Sequence, residues 1–424
     1  MAEPVAASFF VPGRIEVLGK HTDYAGGASI TCATTRGFRL SARPGRTGGV
    51  SVRSADGRFA VDLPLDPEVH AEGWANYVAT VIRRVVRNAP GAVRSADLVF
   101  ESDLAPAAGM SSSSAFMIAV FLGLDAASEG RVRESIVDVV HTLPELAEYL
   151  ACIENGASYG RLEGERGVGT RGGSQDHTAI LCSRAGHLGR YRYAPYAEEG
   201  DWAFWPGHSI LIAASGVEAA KTGAAMEDYN RASRLASGAA AAWSLATGLP
   251  ARHLADVLAA DPDAAETVRR LTATGGTGSG HSAVLPPHSG DMVDALSRRI
   301  RAFTVEMECV ERASHALAAG DLSSFAAAVC DSQAATESLL GNQVPETIHL
   351  AATAERYGAV AASAFGAGFG GSVWALVPDA EADRFVTAWS EDYATVFPRS
   401  ASRAVFVREQ AGAGAHRDGG PQVW

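Results

Sequence analysis

Apolar and polar positions alternate along the first hundred residues in short runs separated by Gly, Asp and Pro. The runs GFRLSA, GGVSVRS, RFAVDL and ADLVFES have the two-residue period of half-buried strands and predict a mostly antiparallel sheet. One segment breaks the period. In GWANYVATVIRRVVRNA, Trp74, Tyr77, Val78, Val81, Ile82 and Val85 recur at helical spacing and leave Arg83, Arg84 and Arg87 on a face expected to be solvated. Beyond residue 110 the pattern becomes Ala-rich and helical, in SSSSAFMIAVFLGLDAA and LPELAEYLACIENGASYG. HSILIAASGV then reads as a buried strand, followed by the long helical stretches RRIRAFTVEMECVERASHALAAG and LSSFAAAVCDSQAATESLLGN. Strands and helices alternating without a repeat period predict an α+β protein of two lobes, 1–210 and 211–408. The remaining stretch, 409–424, is rich in Gly and Ala and is expected to be a disordered tail.

Composition narrows the function classes. The 424 residues exceed what one hydrophobic core usually serves, and 47% hydrophobic with 20% charged residues is the balance of an ordinary globular chain. A net charge of −12 argues against nucleic acid as a partner, so any phosphorylated ligand must be held by local amides, a metal or a few cations. No run of eighteen apolar residues occurs, which argues against a membrane partner, and the first residues, MAEPVAASFF, lack a basic segment followed by a long apolar one. The five cysteines form no CxxC pair, so a reducing, cytoplasmic setting is expected. The twelve histidines show no metal-ligand spacing, and His187 and His208 read as ordinary surface or structural residues.

Three segments carry candidate chemistry. The first, VPGRIEVLGKHTDYAGGASI, crowds Arg14, Lys20, His21 and Asp23 into a strand-like region flanked by glycines. In the second, DLAPAAGMSSSSAFMIAVFLGL, Gly109, Met110 and the serines 111–114 lead directly into an apolar helix. Unpaired amides and the positive end of the helix dipole at such a start suit a phosphate, and serine hydroxyls can bond phosphate or ligate Mg²⁺; an N-capped helix after a loop is the plainer alternative. The third, ASAFGAGFGGSVWALV, places four glycines between 366 and 371 ahead of a strand. It is neither a Walker loop nor a dinucleotide fingerprint.

Taken in order, the three segments resemble those of the GHMP small-molecule kinases and, within them, the galactokinases. Pro12, Gly13 and Arg14, then Gly19, Lys20, His21, Thr22, Asp23 and Tyr24, then Gly26 and Gly27, are similar to that family's sugar signature. The serine segment resembles its phosphate loop, with Ala105 in place of the usual Pro, and the last segment resembles its glycine loop. Weaker echoes are GTRGGSQDHTAI, which resembles the stretch with the catalytic aspartate, SGVEAAKTGAAMEDYNRAS, which matches the sugar-contacting tyrosine, and NQVPETIHL.

The resemblance implies a two-lobed GHMP kinase fold, with a mixed or antiparallel N-terminal lobe, an α+β C-terminal lobe and an active site in the cleft between them. It implies phosphorylation of a monosaccharide by ATP with Mg²⁺ at the anomeric hydroxyl, in a monomer or homodimer. Asp176 would be the base and Arg14 its cationic neighbour. Lys20, His21, Asp23, Gly173, Tyr229 and Glu16 would face the sugar, and Gly109, Met110, Ser111, Ser112, Ser113, Ser114 and Gly368 the nucleotide. Ser113 and Glu154 would hold the metal.

Departures from the family pattern point to a different sugar. Lys20 stands where galactokinases carry a glutamate that accepts a bond from the C6 hydroxyl, and lysine can only donate. Lys20 would therefore either face an acceptor-rich or anionic C6, as in a uronic acid, or pair with Glu16, which replaces the usual Asn. His177 replaces Gln, Ser372 replaces Cys, and RLEGERGVGT is inserted between Glu154 and Asp176. Two other readings stay open: a sugar- and ATP-binding regulator without turnover, and a GHMP kinase for a non-sugar alcohol.

Overall fold

The structure is a computed structural model and describes residues 7–46, 48–105, 109–217, 223–273, 290–420 and 423–424. Residues 106–108 of the phosphate-loop segment and 218–222 of the tyrosine segment lie outside these.

In chain order the elements are β1 (Ala7–Leu18), β2 (Ala28–Pro44), β3 (Gly49–Ser54), β4 (Ala60–Pro64), α1 (Ala75–Asn88), β5 (Ala96–Ser102), α2 (Ser112–Ala127), α3 (Arg131–Ile136), α4 (Leu143–Asn155) and α5 (Gln175–Cys182). There follow β6 (His187–Arg192), β7 (Ala197–Ala203), β8 (His208–Ala214), α6 (Gly223–Thr247), α7 (Leu254–Ala260), α8 (Ala264–Ala273), α9 (Gly290–Ala319) and α10 (Leu322–Ala335). The chain closes with α11 (Pro345–Ala354), β9 (Ala361–Phe365), β10 (Ser372–Pro378), α12 (Ala382–Val396), α13 (Pro398–Ala401), β11 (Val405–Glu409) and β12 (His416–Arg417). This mixture is the expected α+β class.

The elements divide into two compact units whose bounds differ from a cut at 210. One comprises Met1–Ile15, Cys32–Gly189 and Glu409–Trp424, and the other Glu16–Thr31 and Arg190–Arg408. Strands β1 and β2 each run from one unit into the other, so neither unit is a continuous stretch of chain.

In the first unit the strand order is β12-β1-β2-β5-β3-β4. β5 pairs antiparallel with β2 and parallel with β3, so the sheet is mixed. Helix α2 has its apolar residues from Ala115 to Leu124 buried all round, as befits a helix enclosed on every side. The rings of Phe38, Trp74, Phe100 and Phe116 gather with centroids 4.9–6.3 Å apart. Helix α4 begins at a Thr142/Glu145 capping box, which satisfies its first free amides.

The described residues after Glu409 (410–420 and 423–424) are ordered, contrary to the disordered tail expected. β12 pairs with β1 in the register Phe9↔Arg417 and Phe10↔His416, Val423 is buried, and the Arg133 guanidinium lies 4.4 Å from the Trp424 ring. The glycines that looked flexible serve close approach. A Cβ at Gly412 would stand 2.1 Å from the Thr34 carbonyl oxygen, and one at Gly414 2.4 Å from that of Leu181.

In the second unit the strand order is β11-β8-β10-β9, with Trp374 of β10 opposite Ile212 and Ser363. Leu211, Leu350, Val373, Phe385, Trp389 and Tyr393 form one core, and Trp243, Leu254, Val257, Ile300 and Phe303 another. Among the described residues no helix is long and apolar enough to cross a membrane.

Candidate active site

In the first unit β1 brings Arg14 beside the turn that opens α2. Gly13 makes this possible, because a Cβ there would lie 2.7 Å from the Met110 carbonyl oxygen. The Arg14 amide donates to that oxygen at 3.1 Å, and its guanidinium donates to the Gly109 carbonyl and, through Nε at 2.7 Å, to Asp176 Oδ1. Asp176 sits in the first turn of α5, where the helix dipole favours a carboxylate. Its side chain keeps 21% of its exposure against 5% for Arg14, so the carboxylate is reachable while the cation behind it is not. The buried guanidinium is thus the counter-charge directly behind the carboxylate.

The α2 start has the features of an anion seat. Ser111, the residue before the helix, adopts a left-handed backbone with φ 55° and ψ 41°, a conformation that costs a non-glycine residue about 1–3 kcal/mol. Its buried hydroxyl has no hydrogen-bond partner among the described residues. Ser112 and Ser113 are half-buried in the first turn, beside Gly109 and the buried Met110.

Ser114, not Ser113, reaches Glu154. Its hydroxyl donates to Oε2 at 2.7 Å, and His177 Nε2 lies 3.3 Å from the same oxygen. No cluster of three or more His, Cys, Asp or Glu able to hold a metal occurs among the described residues. A serine hydroxyl with one carboxylate is still a hard oxygen set that suits Mg²⁺, which is usually held by one or two carboxylates together with substrate phosphates.

The face of α1 expected to be solvated is instead buried at Arg83 and Arg84, 1% and 0% exposed. The physical reason is the insertion. Arg83 donates to both Glu165 oxygens, at 3.0 and 3.2 Å, and to the Gly167 carbonyl, while Arg84 donates to the carbonyls of Ala157 and Leu162. Val168 N–H donates to the Glu154 carbonyl and Asn155 Nδ2 to that of Gly172, next to the half-buried Gly173. The inserted residues thus pack against α1 and tie the end of α4 to the chain leading to Asp176.

The second unit holds the rest of the signature. His21, with φ 57°, is 4% exposed, and both ring nitrogens are engaged. Nε2 donates to the Ala367 carbonyl at 3.0 Å, and Nδ1 accepts from Tyr24 Oη at 2.6 Å, a tautomer assigned from these partners. Burial, then the charge of Arg299, bring the ring down to about 4, so it is neutral. His21 therefore fastens the glycine loop and does not present a free nitrogen. Buried Gly368 lies against Asn342, whose amide also donates to Ala367 O. Tyr229 packs its ring 5.3 Å from His21, and both Tyr229 and Asp23 are half-buried.

Lys20 departs most from expectation. It is 3% exposed, and its ammonium donates to Ser332 Oγ at 2.6 Å within the second unit. Glu16 is likewise buried there. Sequence reasoning missed Arg299, Glu306, Ser332 and Asn342, which hold the signature and glycine loops. On the helical pattern the first three read only as ordinary polar positions.

Comparison with known proteins accords with this geometry. The GHMP kinases N terminal domain matches residues 76–184, the galactokinase galactose-binding signature residues 2–44, and the GHMP kinases C terminal region residues 313–395. The chain belongs to the GHMP kinase family. A galactokinase of Actinobacillus pleuropneumoniae serotype 3 (strain JL03) is 30% identical over 166 residues, 37% of this chain and 40% of its own. The match thus spans about 40% of the length of such relatives. A galactokinase of Chloroflexus aggregans is 27% identical over 394 residues, 90% of this chain and 87% of its own. Among solved structures, the Lactococcus lactis galactokinase complexed with galactose superposes with a TM-score of 0.73 over 97% of this chain and 94% of its own, at 23% identity, and so shares the GHMP kinase fold.

Proposed function

We propose that the protein is a galactokinase-like sugar kinase that transfers the γ-phosphoryl group of ATP to the anomeric hydroxyl of a monosaccharide. The observation that carries this reading is the reachable Asp176 carboxylate held at 2.7 Å by a buried Arg14 that also bonds the loop opening α2. Asp176 takes the proton of the attacking hydroxyl. The hydroxyl oxygen bonds the γ-phosphorus as the bond to the β–γ bridging oxygen breaks, ADP leaves, and the sugar keeps the phosphate. Arg14 counters charge on the transferred group, and the α2 start, with Gly109, Met110 and Ser111–Ser114, receives the nucleotide phosphates. Glu154, with Ser113 or Ser114, would hold Mg²⁺, which when bound would supply positive charge against that of the nucleotide phosphates. Asp23, Tyr229 and Gly173 face the sugar.

A uronic-acid preference needs a cation at position 20 facing the substrate, and the inward ammonium of Lys20 removes its basis. We therefore assign a neutral sugar of the galactose type. The test is ATP consumption with galactose, arabinose, N-acetylhexosamines, galacturonate and glucuronate, with the product examined by ³¹P NMR. ADP formation with a neutral sugar and a phosphorus signal coupled to the anomeric proton support the reading. Sugar binding without ADP formation would instead make the protein a regulator, and ADP formation with non-sugar alcohols alone would make it another type of GHMP kinase.

A further inference from the structure

Helix α9 carries Arg299 and Glu306 seven positions apart, hence on one face, and both are buried, at 4% and 3%. Both hold the backbone of the signature loop. Glu306 Oε1 accepts the N–H groups of Gly19 and Lys20, at 2.6 and 3.0 Å, and Arg299 Nη2 donates to the His21 carbonyl at 2.6 Å. The other oxygen, Glu306 Oε2, accepts the Ser332 hydroxyl at 2.7 Å, and Ser332 in turn accepts the Lys20 ammonium at 2.6 Å. The circuit closes on one carboxylate: the Lys20 amide reaches it directly and the Lys20 side chain through Ser332. A cavity of about 10 Å³, room for one water, adjoins it between Lys20, Arg299, Glu306 and Thr336.

We propose that Lys20, Ser332 and Glu306 are positioning residues that fix the signature loop from behind, so that the residue at position 20 is read by the protein and not by the substrate. An isolated buried ammonium or carboxylate is strongly unfavourable, and here each answers the other through one hydroxyl. Lys20 accordingly leaves the choice among sugars unchanged and governs how well the loop is held. The activity readouts rest on the sugar-kinase reading; the structural readout does not.

The test combines Glu306→Gln, Ser332→Ala, Ser332→Thr and Lys20→Met in the full chain. Glu306→Gln and Ser332→Ala are expected to raise the sugar KM tenfold or more, leave the ATP KM within twofold, and accelerate amide exchange at residues 19–22 at least tenfold. Ser332→Thr, which keeps the hydroxyl, restores the loop's protection. Lys20→Met in the Glu306→Gln background recovers part of the loss, and alone it preserves the rank order of sugars. The proposal is overturned if Lys20→Met reorders the sugars, or if Ser332→Ala leaves both the sugar KM and the loop's exchange unchanged. Should the wild-type chain phosphorylate no sugar, the functional reading fails, and amide exchange in Ser332→Ala still decides the bracing: acceleration supports it and no change overturns it.

Discussion

His21 offers a stability test with a defined sign. In the folded protein its ring is neutral down to about pH 4, because burial and the neighbouring Arg299 and Lys20 disfavour the cation more than the bond to Ala367 favours it. In the unfolded chain the ring takes a proton near its ordinary 6.5. Above pH 6.5 both states are neutral and His21 adds no pH dependence. As pH falls below 6.5 the unfolded state binds a proton that the folded state refuses, so stability is lost until the folded ring titrates near 4. The difference of 2.5 units corresponds to about 3 kcal/mol in full, of which about 2 kcal/mol develops between pH 7 and 5. Urea unfolding of the wild type and His21→Asn at pH 7, 6 and 5 isolates the effect. Asn tolerates the left-handed backbone and keeps an acceptor near Tyr24. The advantage of the wild type over the variant should shrink by about 2 kcal/mol from pH 7 to 5. A difference independent of pH, or a His21 ring titrating near 6.5 by NMR, would refute the argument.

Three further outcomes follow from particular contacts. Asp176→Asn should lower kcat by ~10²–10⁴-fold with little change in sugar KM, measured by coupled ADP release; an unchanged kcat removes Asp176 from the chemistry. Arg83→Met strands the buried Glu165 and should cost about 3–5 kcal/mol in denaturant unfolding, whereas loss of the more exposed Arg87 costs under ~1 kcal/mol; equal costs would mean the insertion is not clamped by Arg83. Gly412→Ala should lower the melting temperature, because its Cβ would collide with the Thr34 carbonyl, and an unchanged melting point would show the terminal segment to be loosely held.

The strands and main helices were legible because their signals are local: a two-residue period in Val50–Ser54, a helical period from Trp74 to Val85, a serine run before an apolar helix. The pairing of Arg14 with Asp176 was also anticipated, from motif order. The orientations of Lys20, Arg83 and Arg84 were not, because their partners lie far along the chain. Ser332 and Glu306 are some three hundred residues from Lys20, and Glu165 sits in a loop with no period of its own. His21 looked like a ligand-facing ring because its acceptor, the Ala367 backbone carbonyl, leaves no trace in residue type. The terminal glycines misled by composition, since the same residue serves flexible linkers and backbones packed too tightly for a Cβ.

The central claim, a carboxylate-assisted transfer of phosphate from ATP to a sugar's anomeric oxygen, is tested most directly by ³¹P NMR of the reaction of the purified chain with ATP, Mg²⁺ and galactose. A sugar phosphate signal split by the anomeric proton, forming in step with ADP and abolished in Asp176→Asn, is the predicted result. A product phosphorylated elsewhere, or equal product from Asp176→Asn, would contradict it.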